Sequence, residues 1–137
     1  MIPVPLHKKR KARRGFNQAE LLAKELISNN FQQTFRQKMC NQPSTSKPGY
    51  NNWELMKNKL IRTKYTQKTQ VELSGRARRE NIKDCFSWFG EKNGLKGKIV
   101  FLVDDVYTTG STLEECAKVL RQNAGAKKIW GIVLAKV

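Results

Sequence analysis

Residues 98–112 read KIVFLVDDVYTTGST, and this stretch decides the fold. Its apolar start, residues 99–103, predicts a buried strand, and the carboxylates of Asp104 and Asp105 follow at once. A turn rich in glycine and hydroxyl groups comes next. Residues 111–123 then space their apolar side chains along one face, which is typical of an amphipathic helix. The order of strand, turn and helix indicates an α/β protein.

A second apolar segment, residues 129–136, follows this helix, and Gly125 is placed to end the helix between them. We expect another buried strand there. Two strands joined by one helix form a parallel pair with a right-handed crossover. The sequence therefore predicts a doubly wound α/β fold with a mostly parallel sheet, and residues 1–137 suffice for a single domain of this kind.

The N-terminal part predicts a strand end, a loop and a helix. Residues 2–6 (IPVPL) should be extended, since each proline lacks an amide hydrogen, and Lys8–Arg14 should form a basic loop. Asn17 is a plausible helix N-cap, with Glu20 at the capping-box offset. The apolar face of the helix that follows comprises Ala19, Leu22, Ala23, Leu26 and Ile27.

The middle of the chain is polar and lacks a sustained period. Residues 29–52 are rich in Asn, Gln, Ser, Pro and Gly, which indicates a polar insertion or a mobile loop. Residues 53–63 should hold a strand centred on Leu60–Arg62. Residues 64–82 are polar and basic, so we expect a long surface loop with a helical turn near residues 76–82.

The turn after the first apolar strand has the composition of a phosphate site. In open parallel sheets, ligands bind beyond the carboxyl ends of the strands, where turns lead into helix N-termini. Gly110 lets the backbone approach a phosphate closely. Hydroxyl donors come from Thr108, Thr109, Ser111 and Thr112. The sequence contains neither a G-x-x-x-x-G-K-[ST] phosphate loop nor a G-x-G-x-x-G dinucleotide fingerprint.

The two acids before this turn narrow the choice of ligand. Asp104 and Asp105 would repel a phosphate unless they bind something else, and ribose hydroxyls or the water shell of a magnesium ion are suitable partners. A solvated acidic strand end followed by an ordinary helix cap is the alternative. Together, the acids and the turn point to a phosphorylated ribose.

The charge balance favours an anionic partner. The chain has 27 basic and 11 acidic residues, a formal net charge of +16, so it attracts nucleic acid, pyrophosphate or an anionic membrane. Six of the seven residues in Lys8–Arg14 are basic, and a second basic band extends from residue 57 to residue 83. A solvated surface and a nucleic-acid patch explain either band equally well.

Cysteine spacing and hydropathy argue against a metal site held by thiols and against a membrane-spanning protein. Cys40, Cys85 and Cys116 are scattered, so we expect free thiols, with Cys116 on the core face of its helix and no metal held by thiols. We interpret His7 as a loop residue rather than a catalyst. The apolar stretches are too short to cross a bilayer and no signal peptide is apparent, so the expected location is cytoplasmic, without membrane insertion.

Three segments carry a resemblance to a known family. VFLVDDVYTTGST resembles the phosphoribosyl-pyrophosphate (PRPP) binding motif of type I phosphoribosyltransferases. PVPLHKKRKARRGFNQAELLAKEL, near the start, is similar to a segment of the ComF family, which is linked to DNA-uptake competence. A second similar segment contains the series Gln70, Leu73, Ser74, Arg78, Asn81 and Phe86. The resemblance covers residues 1–28 and about 57–137. Family members usually carry an N-terminal zinc ribbon, which this chain is expected to lack.

The resemblance implies a role for each segment. Asp104 and Asp105 would bind the ribose hydroxyls. The 5-phosphate would be cradled by Thr108, Thr109, Gly110, Ser111 and Thr112. The pyrophosphate would face the segment of Pro5, Leu6, Arg14 and Gly15, with Lys8 or Arg10. Mg²⁺ would bridge pyrophosphate and ribose oxygens, mainly through water. The flexible hood loop, residues 64–82, would close over the leaving pyrophosphate with Arg78 and Arg79 as its catalytic residues.

Two functions from different classes remain open. The first is an enzyme that transfers phosphoribosyl from PRPP to an amine, ammonia or a base. The second is a non-catalytic protein of the competence pathway that senses PRPP or associates with single-stranded DNA. The net charge favours the second, although the two basic bands coincide with the expected pyrophosphate and hood loops. Competence proteins and a second copy of the chain are the further partners expected.

Overall fold

The structure is a computed structural model that describes residues 1–28, 53–65 and 75–137, with the backbone alone for residues 75–78. The predicted insertion at residues 29–52 and residues 66–74 of the predicted hood loop lie outside the described residues. In chain order the elements are β1 (Ile2–Pro3), α1 (Lys8–Arg14), α2 (Gln18–Ile27), β2 (Leu60–Arg62), α3 (Gly75–Ile82), β3 (Phe86–Trp88), β4 (Ile99–Tyr107), α4 (Ser111–Ala124) and β5 (Lys128–Lys136).

A parallel three-stranded sheet carries the predicted strand–helix–strand unit. β4 lies between β1 and β5, and both neighbours run parallel to it. Ile2 of β1 is level with Leu102 of β4, and Val103 is level with Ile132 of β5. The α/β fold class and the parallel pairing predicted from the sequence are confirmed.

Helices cover both faces of this sheet because alternate residues of β4 point to opposite sides. Val100 and Leu102 are buried in one apolar cluster with Cys116 and Leu120 of α4. Val103 is fully buried in a second cluster, with α2. The clusters therefore form the two core layers of a doubly wound fold.

The helix boundaries follow from their caps. Asn17 caps α2 by accepting the amide hydrogen of Ala19 at its Oδ1, 3.2 Å away, as expected. α4 buries the apolar face predicted for it, including Cys116, and Gly125 ends it in the left-handed conformation at φ 74°. This glycine donates its amide hydrogen to the Leu120 carbonyl, a bond that satisfies one of the last helical acceptors.

The prediction of a basic loop at Lys8–Arg14 is wrong, because these residues form the helix α1. Lysine, arginine and alanine are good helix formers, and both ends of the segment are capped. His7 Nδ1 accepts the Lys9 amide hydrogen at 3.2 Å, and Gly15 adopts φ 81° and donates its amide hydrogen to the Lys11 carbonyl. No residue of α1 is buried, so the apolar period that revealed the other helices is missing here.

The second strand of the unit is also less buried than predicted. No residue of β5 is buried, and Trp130 and Leu134 are 60% and 76% exposed. The order β1-β4-β5 places β5 at an edge of the described sheet, where the helices cover its faces only in part. An uncharged apolar run predicted burial on both faces, but an edge strand does not require it.

A small antiparallel pair packs beside α4. β2 forms at Leu60–Arg62 as predicted, whereas β3 was not expected from the sequence. The helical turn expected near residues 76–82 is α3. Leu60 and Phe86 join the apolar cluster that contains α4. Among the described residues, no helix is long and apolar enough to cross a membrane.

Candidate functional site

The candidate phosphate cradle lies between β4 and α4. Gly110 holds φ at 77°, a conformation that favours glycine, and a Cβ added there would lie 2.8 Å from the Tyr107 hydroxyl oxygen and would displace that ring. The hydroxyl oxygens of Thr109 and Ser111 are 2.8 Å apart. No described side chain caps the start of α4. The first amides of this helix and the hydroxyl groups therefore form a donor-rich turn suited to a phosphate.

The two acids lie inside β4 rather than after it, because pairing with β5 continues as far as Tyr107. The Asp105 amide donates to the Asp104 carboxylate at 3.0 Å, and the Val106 amide donates to the Asp105 carboxylate at 2.9 Å. These bonds orient both carboxylates within the C-terminal half of β4, two residues before the turn that follows Tyr107. A sugar that presents a phosphate to the turn would present its hydroxyls to these acids.

Burial sets the electrostatics of the acid pair. Burial raises the pKa of Asp104 to about 7, and the charge of Asp105 adds to this rise. The Asp105 amide and the charge of Arg62 act in the opposite direction. A carboxyl group that titrates near neutrality at the end of a sheet strand is a typical feature of functional sites.

Arg62 is a residue that the sequence did not assign to the site. It is 7% exposed, and its guanidinium carbon lies 5.7 Å from the centroid of the Phe86 ring. Burial lowers the pKa of Arg62, and nearby groups act in both directions: Cys85, Cys116 and Asp104 raise it, whereas Arg10 of α1 lowers it. Strand alternation was the available signal, because it places Arg62 on the same buried face as Leu60.

The predicted pyrophosphate segment is anchored to the sheet by buried hydrogen bonds. Val4 donates its amide hydrogen to the Val103 carbonyl at 2.8 Å, and the side-chain amide of Asn17 donates to the Val4 carbonyl at 3.0 Å. Pro5 and Leu6 are half-buried between β1 and α1. The segment therefore leaves the sheet at the strand next to the acids.

The cations of this segment lie on the surface. Lys8 and Arg14 are exposed, and Arg10 is half-buried. Arg14 donates to the Gln18 side chain at 3.1 Å. The sequence placed Gly15 so that the following helix could face an anion, but this glycine ends α1, and α2 begins after Asn17.

α3, which is the C-terminal part of the predicted hood loop, lies near the start of α4. Arg79 is exposed and lines a cavity of about 280 Å³ together with Ser111 and Glu114 of α4. The structure thus brings one of the two predicted catalytic arginines to the start of α4. For Arg78 only the backbone position within α3 is described.

The phosphoribosyl transferase domain family matches residues 12–137. The chain belongs to this family. The chain is 39% identical over 137 residues to competence protein F of Haemophilus influenzae, covering 98% of this chain and 50% of the relative. It is 34% identical over 131 residues to DNA utilization protein YhgH of Escherichia coli K12, covering 95% and 47%.

A third relative is more distant. Competence protein ComFC of Bacillus subtilis is 29% identical over 136 residues, covering 99% of this chain and 44% of the relative. These matches confirm the resemblance to the ComF family and to type I phosphoribosyltransferases. The chain spans about half the length of the relatives it matches.

Proposed function

We propose that this protein binds PRPP and transfers its phosphoribosyl group to an amine, ammonia or a base, releasing pyrophosphate. The observation that carries the proposal is the acid pair of Asp104 and Asp105, hydrogen-bonded within the C-terminal half of β4 and followed closely by the donor-rich turn. Membership of the phosphoribosyl transferase domain family supports it.

The proposed reaction breaks the bond between the anomeric carbon of the ribose and a pyrophosphate oxygen. The oxygen keeps the electron pair, and a nitrogen of the acceptor forms the new bond and loses a proton. Asp104 and Asp105 would hold the ribose hydroxyls, and the turn before α4 would hold the 5-phosphate. This fixes the anomeric carbon while an oxocarbenium-like state forms.

Negative charge develops on the leaving pyrophosphate, so cations must lie close to it. Arg78 and Arg79 of α3 and the cations of α1 would supply them, and closure of the hood over the site would exclude water that otherwise hydrolyses PRPP. Mg²⁺ would neutralise further charge from the pyrophosphate and ribose oxygens, held mainly through water. Two adjacent oxygen-bearing acids suit a hydrated ion of this kind, and no side chain is assigned as its direct ligand.

A pyrophosphate-release assay tests the proposal. Purified protein is mixed with PRPP, Mg²⁺ and a panel of amines and bases. We expect release with one acceptor to exceed release with water alone, and Arg79→Ala to lower kcat by about 100-fold, as removal of one charge-stabilising donor does. Lys127→Ala, which removes an exposed cation at the opposite end of β4 and β5, is the matched control. PRPP binding without release for any acceptor would contradict the transferase proposal.

A non-catalytic role with single-stranded DNA is the second candidate, and the surface of α1 favours it. Six basic side chains lie on seven residues, and Lys9 Nζ is 5.3 Å from the centroid of the half-exposed Tyr65 ring. Cations beside an exposed aromatic ring suit a nucleic-acid strand, whose bases stack while its phosphates pair. Two relatives are named competence proteins and one a DNA utilization protein.

The dependence of affinity on salt concentration distinguishes binding of single-stranded DNA from binding of PRPP. We expect fluorescence anisotropy with an oligothymidine to show affinity that falls steeply with salt, and Lys8→Ala/Lys9→Ala to reduce the logarithmic slope by about 1.4, since each lost contact removes about 0.7. Asp104→Ala/Asp105→Ala should leave this binding unchanged. An unchanged slope in the lysine variant would exclude α1 as the DNA surface.

A further inference from the structure

The predicted pyrophosphate segment is a closed loop beside the acids. It leaves the sheet at Val4, whose amide donates to the carbonyl of Val103, the residue before Asp104. It returns at Asn17, whose side-chain amide donates to the Val4 carbonyl at 3.0 Å in the protein interior. Both ends of the loop are therefore anchored at one point of the sheet, next to the proposed ribose subsite. The position of α1 within this loop depends on contacts made between the two ends.

His7 makes two kinds of capping contact at the start of α1. Its backbone is extended (φ −62°, ψ 144°), and its carbonyl accepts the amide hydrogens of Arg10 and Lys11 at 2.9 and 3.0 Å. Its side chain accepts the Lys9 amide hydrogen at Nδ1, 3.2 Å away. Any residue could offer the carbonyl, but the third bond requires a side-chain acceptor. The imidazole therefore caps the helix directly before its first cations.

The His7 ring also connects the start of α1 to the segment that follows β2. Its centroid lies 5.0 Å from that of the Tyr65 ring, with the two planes inclined at 49°, and Lys9 Nζ lies 5.3 Å from the same ring. No residue of α1 is buried, so apolar packing does not hold this helix in place. The cap and the ring contact therefore fix the direction in which α1 starts.

The side-chain cap exists only while the imidazole of His7 is neutral. Because Nδ1 accepts the Lys9 amide hydrogen, the neutral ring carries its own hydrogen on Nε2. In an imidazolium both nitrogens carry hydrogen, so the acceptor is lost. The added charge also opposes the positive end of the helix and repels Lys8, Lys9 and Arg10. Among the described residues, the groups that contact the ring are the Lys9 amide and the Tyr65 phenol, and neither is an anion.

We propose that His7 is a positioning residue of the pyrophosphate subsite: its neutral imidazole caps α1 and packs on Tyr65, and so holds the cations at the start of α1 in place for the pyrophosphate of a bound ligand. Protonation of the ring releases this arrangement. The inference rests on the proposed function for the identity of the ligand. The cap exists without any ligand, and it can be measured by itself.

The first experiment follows the ¹³Cα chemical shifts of α1 by NMR in the ligand-free protein between pH 5 and pH 8, the range in which histidine side chains titrate. We expect the helical shifts of α1 in wild type to decrease towards pH 5. His7→Asn supplies a cap acceptor that does not titrate and should keep these shifts at every pH, whereas His7→Leu should reduce them even at pH 8. The shifts of α4 in the same spectra verify the fold of each variant.

Two results of the NMR experiment would overturn the proposal. The first is a set of α1 shifts in His7→Leu that equals the wild-type set at pH 8, because the side-chain cap would then contribute nothing. The second is a wild-type profile as independent of pH as that of His7→Asn, because protonation would then leave the cap intact.

The second experiment uses calorimetry at pH 8 with two probes, PRPP with Mg²⁺ and ribose 5-phosphate, which lacks the pyrophosphate. His7→Leu should weaken PRPP binding about fivefold, the factor that corresponds to one lost N-cap, and should change ribose 5-phosphate affinity by less than about twofold. His7→Asn should keep both affinities. Ser28→Ala, which removes the capping hydroxyl at the end of α2, is the matched control and should also change neither.

Each other result has a definite meaning. Equal losses of PRPP affinity in His7→Asn and His7→Leu would mean that the imidazole contacts the ligand directly, and would overturn the positioning role. Equal losses for both probes in His7→Leu, or no loss for PRPP, would overturn the assignment to the pyrophosphate subsite. Failure of wild type to bind either probe would contradict the proposed function, while the NMR comparison still decides whether the His7 side chain caps α1.

Discussion

Two helices flank the candidate site, and they are stabilised in opposite ways. α4 starts at the phosphate cradle and buries Cys116, Leu120 and Ala124 completely. α1 forms part of the predicted pyrophosphate segment, is almost entirely basic and has no buried residue. The cradle is thus attached to the core of the protein, whereas the cations are carried on a surface helix.

Capping at both ends and one ion pair stabilise α1, whereas burial in the core stabilises α4. The Lys9 and Gly15 amides are satisfied at the two caps, and the Glu20 carboxylate of α2 lies 3.5 Å from Lys11 Nζ. A seven-residue helix of like charges would not persist by itself, because isolated short helices are marginal in water and like charges repel within them. Local capping and pairing therefore keep a high density of positive charge in one place.

The largest expected effect on the free energy of unfolding comes from a matched pair of glycine substitutions. They test whether the cradle is held more firmly than α1. Gly15 ends α1 at φ 81° with nothing within 4 Å of an added Cβ, whereas at Gly110 the added Cβ would lie 2.8 Å from the Tyr107 hydroxyl oxygen. Gly15→Ala should cost about 1 kcal/mol from the backbone conformation alone. Gly110→Ala should cost about 2–4 kcal/mol, since overpacking is added to the same strain. Urea unfolding measures both.

The Tyr107→Leu background provides the control. Removing the ring should bring the cost of Gly110→Ala close to that of Gly15→Ala, a coupling that a double-mutant cycle detects. Equal costs for the two glycines in the wild-type background would mean that the cradle is as loosely held as α1.

Replacing Glu20 should have the smaller effect on the free energy of unfolding, and the size of this effect should depend on pH. Its carboxylate lies within 4 Å of Lys57, Lys11 and Lys24. Burial acts to raise the pKa of Glu20, but the three lysines outweigh it and the pKa is lowered. The stabilisation is therefore present above the unfolded pKa and is lost as the pH falls through the folded pKa.

Glu20→Gln should cost about 0.5–1 kcal/mol at pH 7, and the difference from wild type should vanish towards pH 3. Hydrogen exchange should accelerate in α1 and remain unchanged in α4. Glu25→Gln makes the same charge change at an exposed position of α2 and should alter the unfolding free energy by less than about 0.5 kcal/mol. A cost for Glu20→Gln that persists at pH 3 would show that packing, not charge, explains the contact.

The difference between buried and exposed elements also explains which helices and strands the sequence could predict. α2, α4 and β4 carry apolar periods, so their existence and most boundaries were predictable from Val100, Val103, Leu120 and their neighbours. α1 has no apolar period, so its basic residues predict a surface loop and not a helix. The burial of β5 depends on which helices cover it, and a single apolar run does not contain that information.

The residues of the candidate site also differ in how well the sequence predicts them. The cradle and the acids are contiguous in sequence, so one motif predicted that they lie together. Arg62 is 42 residues from Asp104 in sequence, and its burial beside the Phe86 ring depends on the packing of the β2–β3 pair. A lone arginine in a three-residue strand carries no chemical signal until its burial is known.

We propose above all that Asp104 and Asp105 hold the ribose of PRPP. Calorimetric titration of PRPP with Mg²⁺ into wild type and into Asp104→Ala/Asp105→Ala, at pH 8 so that Asp104 is ionised in the wild type, tests it most directly. We predict that the double variant, with its fold verified by urea unfolding, loses about 100-fold or more in affinity, since two charged hydrogen-bond acceptors are removed. Equal affinity of the two proteins for PRPP would contradict the assignment of the site.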